Sequence, residues 1–340
     1  MKVCFETFGC RLNRAEALQQ EAEYLDKGWT TTTKHSEADL FVVRACSVTS
    51  RAQRDCERLI AHLKKRYPLT PLIVAGCLPK ESKRALHVSD HQQNVPHNPT
   101  AIPTSTARAY LKVQDGCNCG CTFCIVPQFR GKSTSVPFDE VLAKASRFID
   151  AGYHEIVVTG CNLTLYSSDG RSFADLIDAL ANLSPDCRIR IGSIEPGTSA
   201  IETVDVMAKY QNICKFLHLP IQSGSNAILK SMRRPYLVAD IDRLIKKAQS
   251  TIQLIGLGCD IMSGYPGETE IDHLATVGML KRYGFSNIHA FPFSERPNTI
   301  AAGLPSIVPR EIRHARAREI NSIGRELKSV AARKFLGKDI

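Results

Sequence analysis

Strand-sized apolar runs alternate with amphipathic stretches of helical length along most of the chain, and this alternation restricts the fold to a parallel α/β class. Near the amino terminus VCFETF precedes an amphipathic stretch from Asn13 to Lys27, DLFVVR precedes a basic one from about Thr49 to Tyr67, and PLIVAG opens a third unit. These units predict a Rossmann-like parallel α/β domain over residues 1–86. From Ala107 the pattern resumes on a larger scale, with strands expected near 107–114, 155–159, 188–193, 214–219, 256–262 and 287–292. Helices are expected between them over 138–151, 172–182, 201–209, 237–250 and 270–283. Six such units predict an open or partial (β/α)6 barrel over 106–308, whose chemistry belongs at the carboxyl ends of its strands. Residues 87–105 lack periodicity, are rich in Pro, Asn, His and Ser, and read as a linker. A basic helix is expected over 309–340, with Pro309 suited to its first turn.

No apolar run in the 340 residues approaches the ~18–20 needed to span a membrane. The start, MKVCFETFGC, lacks a signal-peptide pattern. The expectation is a cytoplasmic protein with no membrane partner. Charge is uneven: of a net +10, residues 51–84 hold nine Lys/Arg against three acids and residues 309–340 nine against four. Localised basic stretches suit a polyanion, nucleic acid first, although on charge alone solvated helices without a partner read equally well. The candidate RNA contacts are Arg51, Arg54, Arg58, Lys64, Lys65 and Arg66 on one helix, Arg130 in a loop, and Arg313, Arg316 and Arg325 on another helix.

Thirteen cysteines in such a chain favour metal or redox chemistry over a disulfide framework. Within DGCNCGCTFC, Cys117, Cys121 and Cys124 form C-x3-C-x2-C after a strand. Three thiolates from one short loop can hold three irons of a 4Fe–4S cube and leave the fourth iron without a protein ligand. S-adenosylmethionine (SAM) can chelate that iron, and an electron from the cluster then cleaves its C–S bond. A zinc site would want four protein ligands, and no second C-x-x-C follows at finger spacing. Cys119 is a spare thiol or a competing ligand.

Cys10, Cys46 and Cys77 each follow one of the three amino-terminal strands. Ligand sites in parallel α/β sheets lie outside the carboxyl strand ends. Three cysteines placed there suggest a second Fe–S cluster, although a single one would read as a small buried hydrophobe. Cys4, Cys56, Cys187, Cys214 and Cys259 read as core or surface residues; Cys161 follows EIVVTG at the functional end of the barrel.

Barrel strand ends also carry small and polar residues. Gly160 ends VVTG, Ser193 and Glu195 follow a strand in IGSIEP, and His218, Gln222 and Ser223 lie in HLPIQSGS. A Gly/Pro-rich turn spans Gly264–Gly267, and Ser294, Arg296 and Pro297 end the last unit. Such residues at successive strand ends argue for a shared pocket, with Gly160, Ser193, Glu195, His218, Gln222 and Ser223 as its cofactor-binding candidates. Glycine at such a place allows a close backbone approach.

These motifs carry a family resemblance. TFGC-x-x-N, C-S-V-T at Cys46, A-G-C at Cys77, DGCN-x-x-CTFCIVP-x-x-RG, SIEP, HLPIQSGS-x-x-x-L-x-x-M-R-R, GYPGETE and FPFSERP-x-T together resemble the radical-SAM methylthiotransferases over roughly residues 1–335. The resemblance implies two 4Fe–4S clusters: one at Cys10, Cys46 and Cys77 takes part in sulfur donation, and one at Cys117, Cys121 and Cys124 binds and cleaves SAM. It implies no catalytic residue beyond these ligands. As partners it implies tRNA, an electron donor such as a flavodoxin or ferredoxin, and a sulfur source. The opening TFGCRLN is most similar to the branch acting on N6-threonylcarbamoyladenosine at position 37 of tRNA. The isopentenyladenosine and ribosomal-protein branches, and a degenerate Fe–S RNA-binding protein without turnover, stand as alternatives.

Departures from the pattern accompany the resemblance. Only 39 residues separate Cys77 from Cys117, which predicts a missing α/β unit. Arg44-Ala45 replaces a common Asn-Thr, and the sequence reaches FLGKDI where a small β-barrel RNA-binding domain normally begins. The expectation is that this barrel is absent and that the basic helices take over RNA binding.

Overall fold

A computed structural model describes residues 1–79, 82, 89–90, 99–103, 105–334 and 336–337. The first sheet contains β1 (Lys2–Thr7), β2 (Thr30–Thr31), β3 (Leu40–Ala45), β4 (Leu72–Gly76) and β5 (Ser89–Asp90), all parallel, in the order β2-β1-β3-β4-β5. Thr7 pairs with Arg44 and Arg44 with Ala75, so β1, β3 and β4 end level with one another. Most of the expected linker, with the 86/87 boundary, lies outside the described residues; its described parts include β5 and Thr100, which is tied to Asp26 through its amide at 2.7 Å.

Two helices cover this sheet. On one side α1 (Arg11–Asp26) joins Tyr24 to Val3, Leu40 and Val42. On the other, α2 (Ser50–Arg66) lays Cys56, Ile60 and Leu63 against Cys4, Phe41, Val43 and Val74. The alternation of Val42 with Phe41 and Val43 is the period-two pattern of a strand buried on both faces. Thr49 caps α2 by accepting from the Ala52 amide at 3.2 Å. Lys64, Lys65 and Arg66 occupy its last turn, where cations suit the helix dipole, and Pro68 follows.

The second body is the six-stranded open barrel. Parallel strands β6 (Ala109–Lys112), β9 (Glu155–Thr159) and β12 (Arg188–Ile191) make one half, and β13 (Phe216–Gln222), β14 (Gly256–Ser263) and β15 (Asn287–Pro292) the other. Bridges Ile189–Ile213 and Ser193–His218 join the halves. Between β6 and β9 a short antiparallel pair, β7 (Gln114–Asp115) with β8 (Thr134–Ser135), frames the cysteine loop, and a hairpin, β10 (Ser167–Ser168) with β11 (Arg171–Ser172), precedes the next helix. Helices Phe138–Asp150, Phe173–Leu183, Thr198–Lys209, Val238–Thr251 and Glu270–Tyr283 cover the outside. The expected strand over 107–114 is divided in two, because the chain breaks at Val113 to begin the cysteine loop.

The helix Arg310–Arg333 begins after Pro309 as expected and covers the β15 edge. Asn321 donates to Ala290 O at 2.8 Å and accepts from its amide at 3.2 Å, taking the place of a neighbouring strand. At the other edge α1 packs on β6. The Ser50 and Ser294 hydroxyls meet at 2.8 Å, and Arg296 donates to Ser50 Oγ at 3.2 Å. The amino-terminal body therefore grips both sides of the barrel mouth. Among the described residues no helix is long and apolar enough to cross a membrane.

Candidate active site

Level strand ends place Cys10, Cys46 and Cys77 together. Cys10 caps α1, and Cys46 and Cys77 follow β3 and β4. Burial pushes Cys46 and Cys77 up, and the neighbouring Cys10 sulfur adds to both shifts. Gly9 has φ +92°, and a Cβ there would lie 2.6 Å from Cys46 Sγ, so only glycine allows this approach. Two hydroxyls near the triad, Ser47 Oγ and Thr7 Oγ1, are buried without a partner. Three thiols with unpartnered donors beside them fit an iron–sulfur group.

The second triad lies in the loop after β6. Cys121 and Cys124 are within electrostatic reach of Cys117. A hydrogen bond from the Cys119 thiol pulls Cys117 down to about 6, while burial pushes Cys124 up to about 12. Asn162 directs its amide at Cys119 Sγ at 3.2 Å and Cys117 Sγ at 4.0 Å. Gln114 organises the loop: its Nε2 donates to Gly116 O at 2.7 Å and its Oε1 accepts from the Asn162 backbone N–H at 2.9 Å. Opposite, Arg234 donates to Cys121 Sγ at 3.0 Å and pairs with Glu195. This donor set also fits an iron–sulfur group.

Comparison with known proteins covers both bodies of the chain. Residues 111–280 match the Radical SAM superfamily, and residues 2–95 match the uncharacterized protein family UPF0004. The Threonylcarbamoyladenosine tRNA methylthiotransferase MtaB of Thermotoga maritima is 30% identical over 99% of this chain and 85% of its own length. Its namesake from Chlamydia pneumoniae is 29% identical over 97% of this chain and 83% of its own. The chain is a radical-SAM methylthiotransferase of the MtaB type. The tRNA-2-methylthio-N(6)-dimethylallyladenosine synthase of Treponema denticola is 28% identical over 100% of this chain and 87% of its own. The fold is similar to the radical SAM methyltransferase TsrM of Kitasatospora setae, with a TM-score of 0.63 at 13% identity over 88% of this chain and 77% of that one.

Membership in the radical-SAM methylthiotransferases implies a 4Fe–4S cluster and SAM. The expected cofactor residues differ in what they offer. Gln222 stands in a left-handed conformation, φ 71°, with its buried Oε1 unpartnered, which suits a ligand contact. Glu195 is committed to Arg234. His218 lies 3.1 Å from Asp260, which also meets His289 at 3.1 Å. Ser223 Oγ accepts from the Ser225 amide at 3.2 Å and shapes a turn, and Ser193 is exposed. Gly160 needs correction: a Cβ there would meet Gln114 Oε1 at 2.9 Å, so this glycine makes room for the protein's own side chain.

The expected RNA contacts also divide. Arg51, Arg54, Arg58, Lys65, Arg66 and Arg325 are exposed and Lys64 is half-buried. Arg130 and Arg316 are corrections. Arg130 is 8% exposed among Glu16, Asp115 and Asn13. Arg316, 9% exposed, pairs with Glu268 at 2.7 Å and Glu270 at 2.9 Å. Arg313 lies largely under the surface, donating to Phe293 O at 3.1 Å. Sequence reasoning missed Gln114, Asn162 and Arg234. Only Arg234 had a signal, the M-R-R motif.

Proposed function

We propose that the chain is a tRNA methylthiotransferase that replaces C–H by C–S–CH3 at C2 of N6-threonylcarbamoyladenosine, at position 37 beside the anticodon. The carrying observation is the placement of one thiol triad past the strand ends of the first sheet and another in the loop after β6 of the barrel, joined by relatives named for this modification that match 97% and 99% of this chain. An unactivated aromatic C–H has no useful acidity, so the described residues need supply no general base at C2. A 4Fe–4S cluster with SAM supplies the radical chemistry when bound, with one SAM giving the 5′-deoxyadenosyl group and another the methyl.

The protein's own task is placement. Cys117, Cys121 and Cys124 would hold the SAM-cleaving cluster; Cys10, Cys46 and Cys77 would hold a second one that serves sulfur donation. An electron donor such as a flavodoxin or ferredoxin and a sulfur source complete the reaction, which we assign to the cytoplasm. The barrel interior supports the polar nucleoside. Leu217, Leu219 and Ile221 of β13 join the core, so His218 faces the opposite way, into a lumen shared with Asp260 and His289. Arg190 pairs with Glu155 deeper in the barrel at 2.6 Å. Such a lining suits a threonylcarbamoyl group better than an apolar dimethylallyl one.

The test is mass spectrometry of tRNA nucleosides from cells with and without the protein. The expected result is loss of 2-methylthio-N6-threonylcarbamoyladenosine in the deleted cells. Loss of the dimethylallyl derivative would instead assign the substrate of the Treponema denticola relative. Unchanged tRNA would overturn the proposal.

A further inference from the structure

Arg130 ends the short helix Val126–Arg130 that follows Cys124, yet its side chain leaves the barrel for the amino-terminal body. Its Nη2 donates to Asn13 Oδ1 at 2.8 Å, and its two terminal nitrogens meet Glu16 at 2.8 and 3.1 Å. Nη1 also reaches Asp115 at 3.1 Å, two residues before Cys117. Asn13 uses its own amide to hold Phe8 O at 2.9 Å and Ala45 O at 2.8 Å, the carbonyls that lead into Cys10 and Cys46. The guanidinium also lies beside the Cys77 thiol. One buried cation therefore touches, directly or through a single amide, every strand end of the first triad and the loop of the second.

We propose that Arg130 is a positioning residue that sets the Cys10–Cys46–Cys77 triad against the Cys117–Cys124 loop. The inference rests on reading both triads as cluster sites. A plain stabilising ion pair would act through the carboxylates Glu16 and Asp115, and Lys112 already meets both, at 2.7 and 2.5 Å, with Arg44 also on Glu16. The contacts to Asn13 and to the Cys77 thiol are what an ion pair does not require. Five donors spread over three nitrogens in a rigid planar fork hold these partners at fixed separations, which the single nitrogen of an ammonium cannot reproduce.

The experiment compares wild type with Arg130→Lys and Arg130→Gln, all as the full chain. In the apo proteins, amide hydrogen exchange is read over residues 8–13 and 45–48, which lie in the other body from the substitution. After anaerobic reconstitution, iron per chain and the ratio of 5′-deoxyadenosine to methylthio product are measured. Arg130→Lys should speed exchange in those segments about tenfold. It should keep its iron while the ratio rises about tenfold, because SAM is cleaved without sulfur transfer. Should Arg130→Gln not fold, Arg130→Lys decides alone. Unchanged exchange and unchanged coupling in Arg130→Lys would overturn the positioning role. Failure of the underlying reading looks different: a Cys10/Cys46/Cys77→Ala variant would then hold as much iron as wild type.

Discussion

Arg234 points one nitrogen at the Cys121 sulfur, 3.0 Å away, while the other pairs with Glu195. The Arg234 side chain is 4% exposed, and the Tyr236 hydroxyl and Pro220 carbonyl complete its partners. A cation held this way supports the cysteine loop from the far side of the barrel. Glu195→Gln leaves it without a countercharge, and breaking a buried pair from one side costs about 3 kcal/mol. Urea unfolding of the apo protein should show a drop of that order. Glu195→Gln, Arg234→Met together should recover part of it, since the uncompensated charge is then gone.

Gly9 offers a sharper probe of the first triad. Alanine there must accept φ +92° and place its methyl on Cys46, 2.6 Å from the sulfur. The loop has to move, and Cys10 or Cys46 moves with it. Gly9→Ala should lower iron from about eight per chain to about four after reconstitution, sparing the second triad. Iron analysis beside the Cys117/Cys121/Cys124→Ala variant checks which site was lost, because combining the changes should leave almost none.

Much of this arrangement was legible because it is written locally. The alternation that defines β3 and α2, and the placement of Cys10, Cys46 and Cys77 just past strands, need only a few neighbouring residues. The failures are long-range. Arg130 reads as a basic loop residue until Glu16, 114 positions away, is brought beside it. Arg316 reads as part of a basic helix, but its carboxylate Glu268 comes from a turn 48 positions earlier. Arg233 and Arg234 are adjacent, yet one is exposed and the other aims at a cysteine. A strand end with small residues announces a crowded place; it does not say whether ligand or protein fills it, which is how Gln114 was missed behind Gly160.

The lumen histidines give a pH signature. Burial pushes the Asp260 carboxyl up, but hydrogen bonds from His218 and His289 outweigh it and hold the group at about 2. The hydrogen bond to Asp260 raises His289 in turn. The Asp260 contribution to stability is therefore present above the ordinary carboxylate value of about 3.9 and lost as pH falls through about 2. The His289 contribution is complete below about 6.5 and lost as pH rises through its raised value. The melting-temperature gap between wild type and Asp260→Asn should be widest between about pH 4 and 6.5, and should narrow on both sides. In the variant, the His289 imidazole resonance should titrate lower than in wild type.

The basic surface can be tested against the buried arginines that resemble it in sequence. On α2, Arg54, Lys65 and Arg66 are exposed, whereas Arg51 and Arg58 lie near Asp55 at 3.7 and 3.8 Å. Exposed pairs of that length hold little energy, so phosphate can compete for those arginines as well. If this helix contacts tRNA, each phosphate contact releases counterions, and log K against log salt should have a slope of roughly −0.7 to −0.9 per contact. Arg54→Glu, Lys65→Glu, Arg66→Glu together should reduce the magnitude of the slope by about 2 to 3 and leave the melting temperature nearly unchanged. Arg316→Glu should do the reverse. It places a third carboxylate against Glu268 and Glu270, so the protein melts earlier while any surviving folded fraction keeps the wild-type salt slope. An unchanged slope in the α2 variant would mean that this helix is merely solvated and that tRNA is held by another surface.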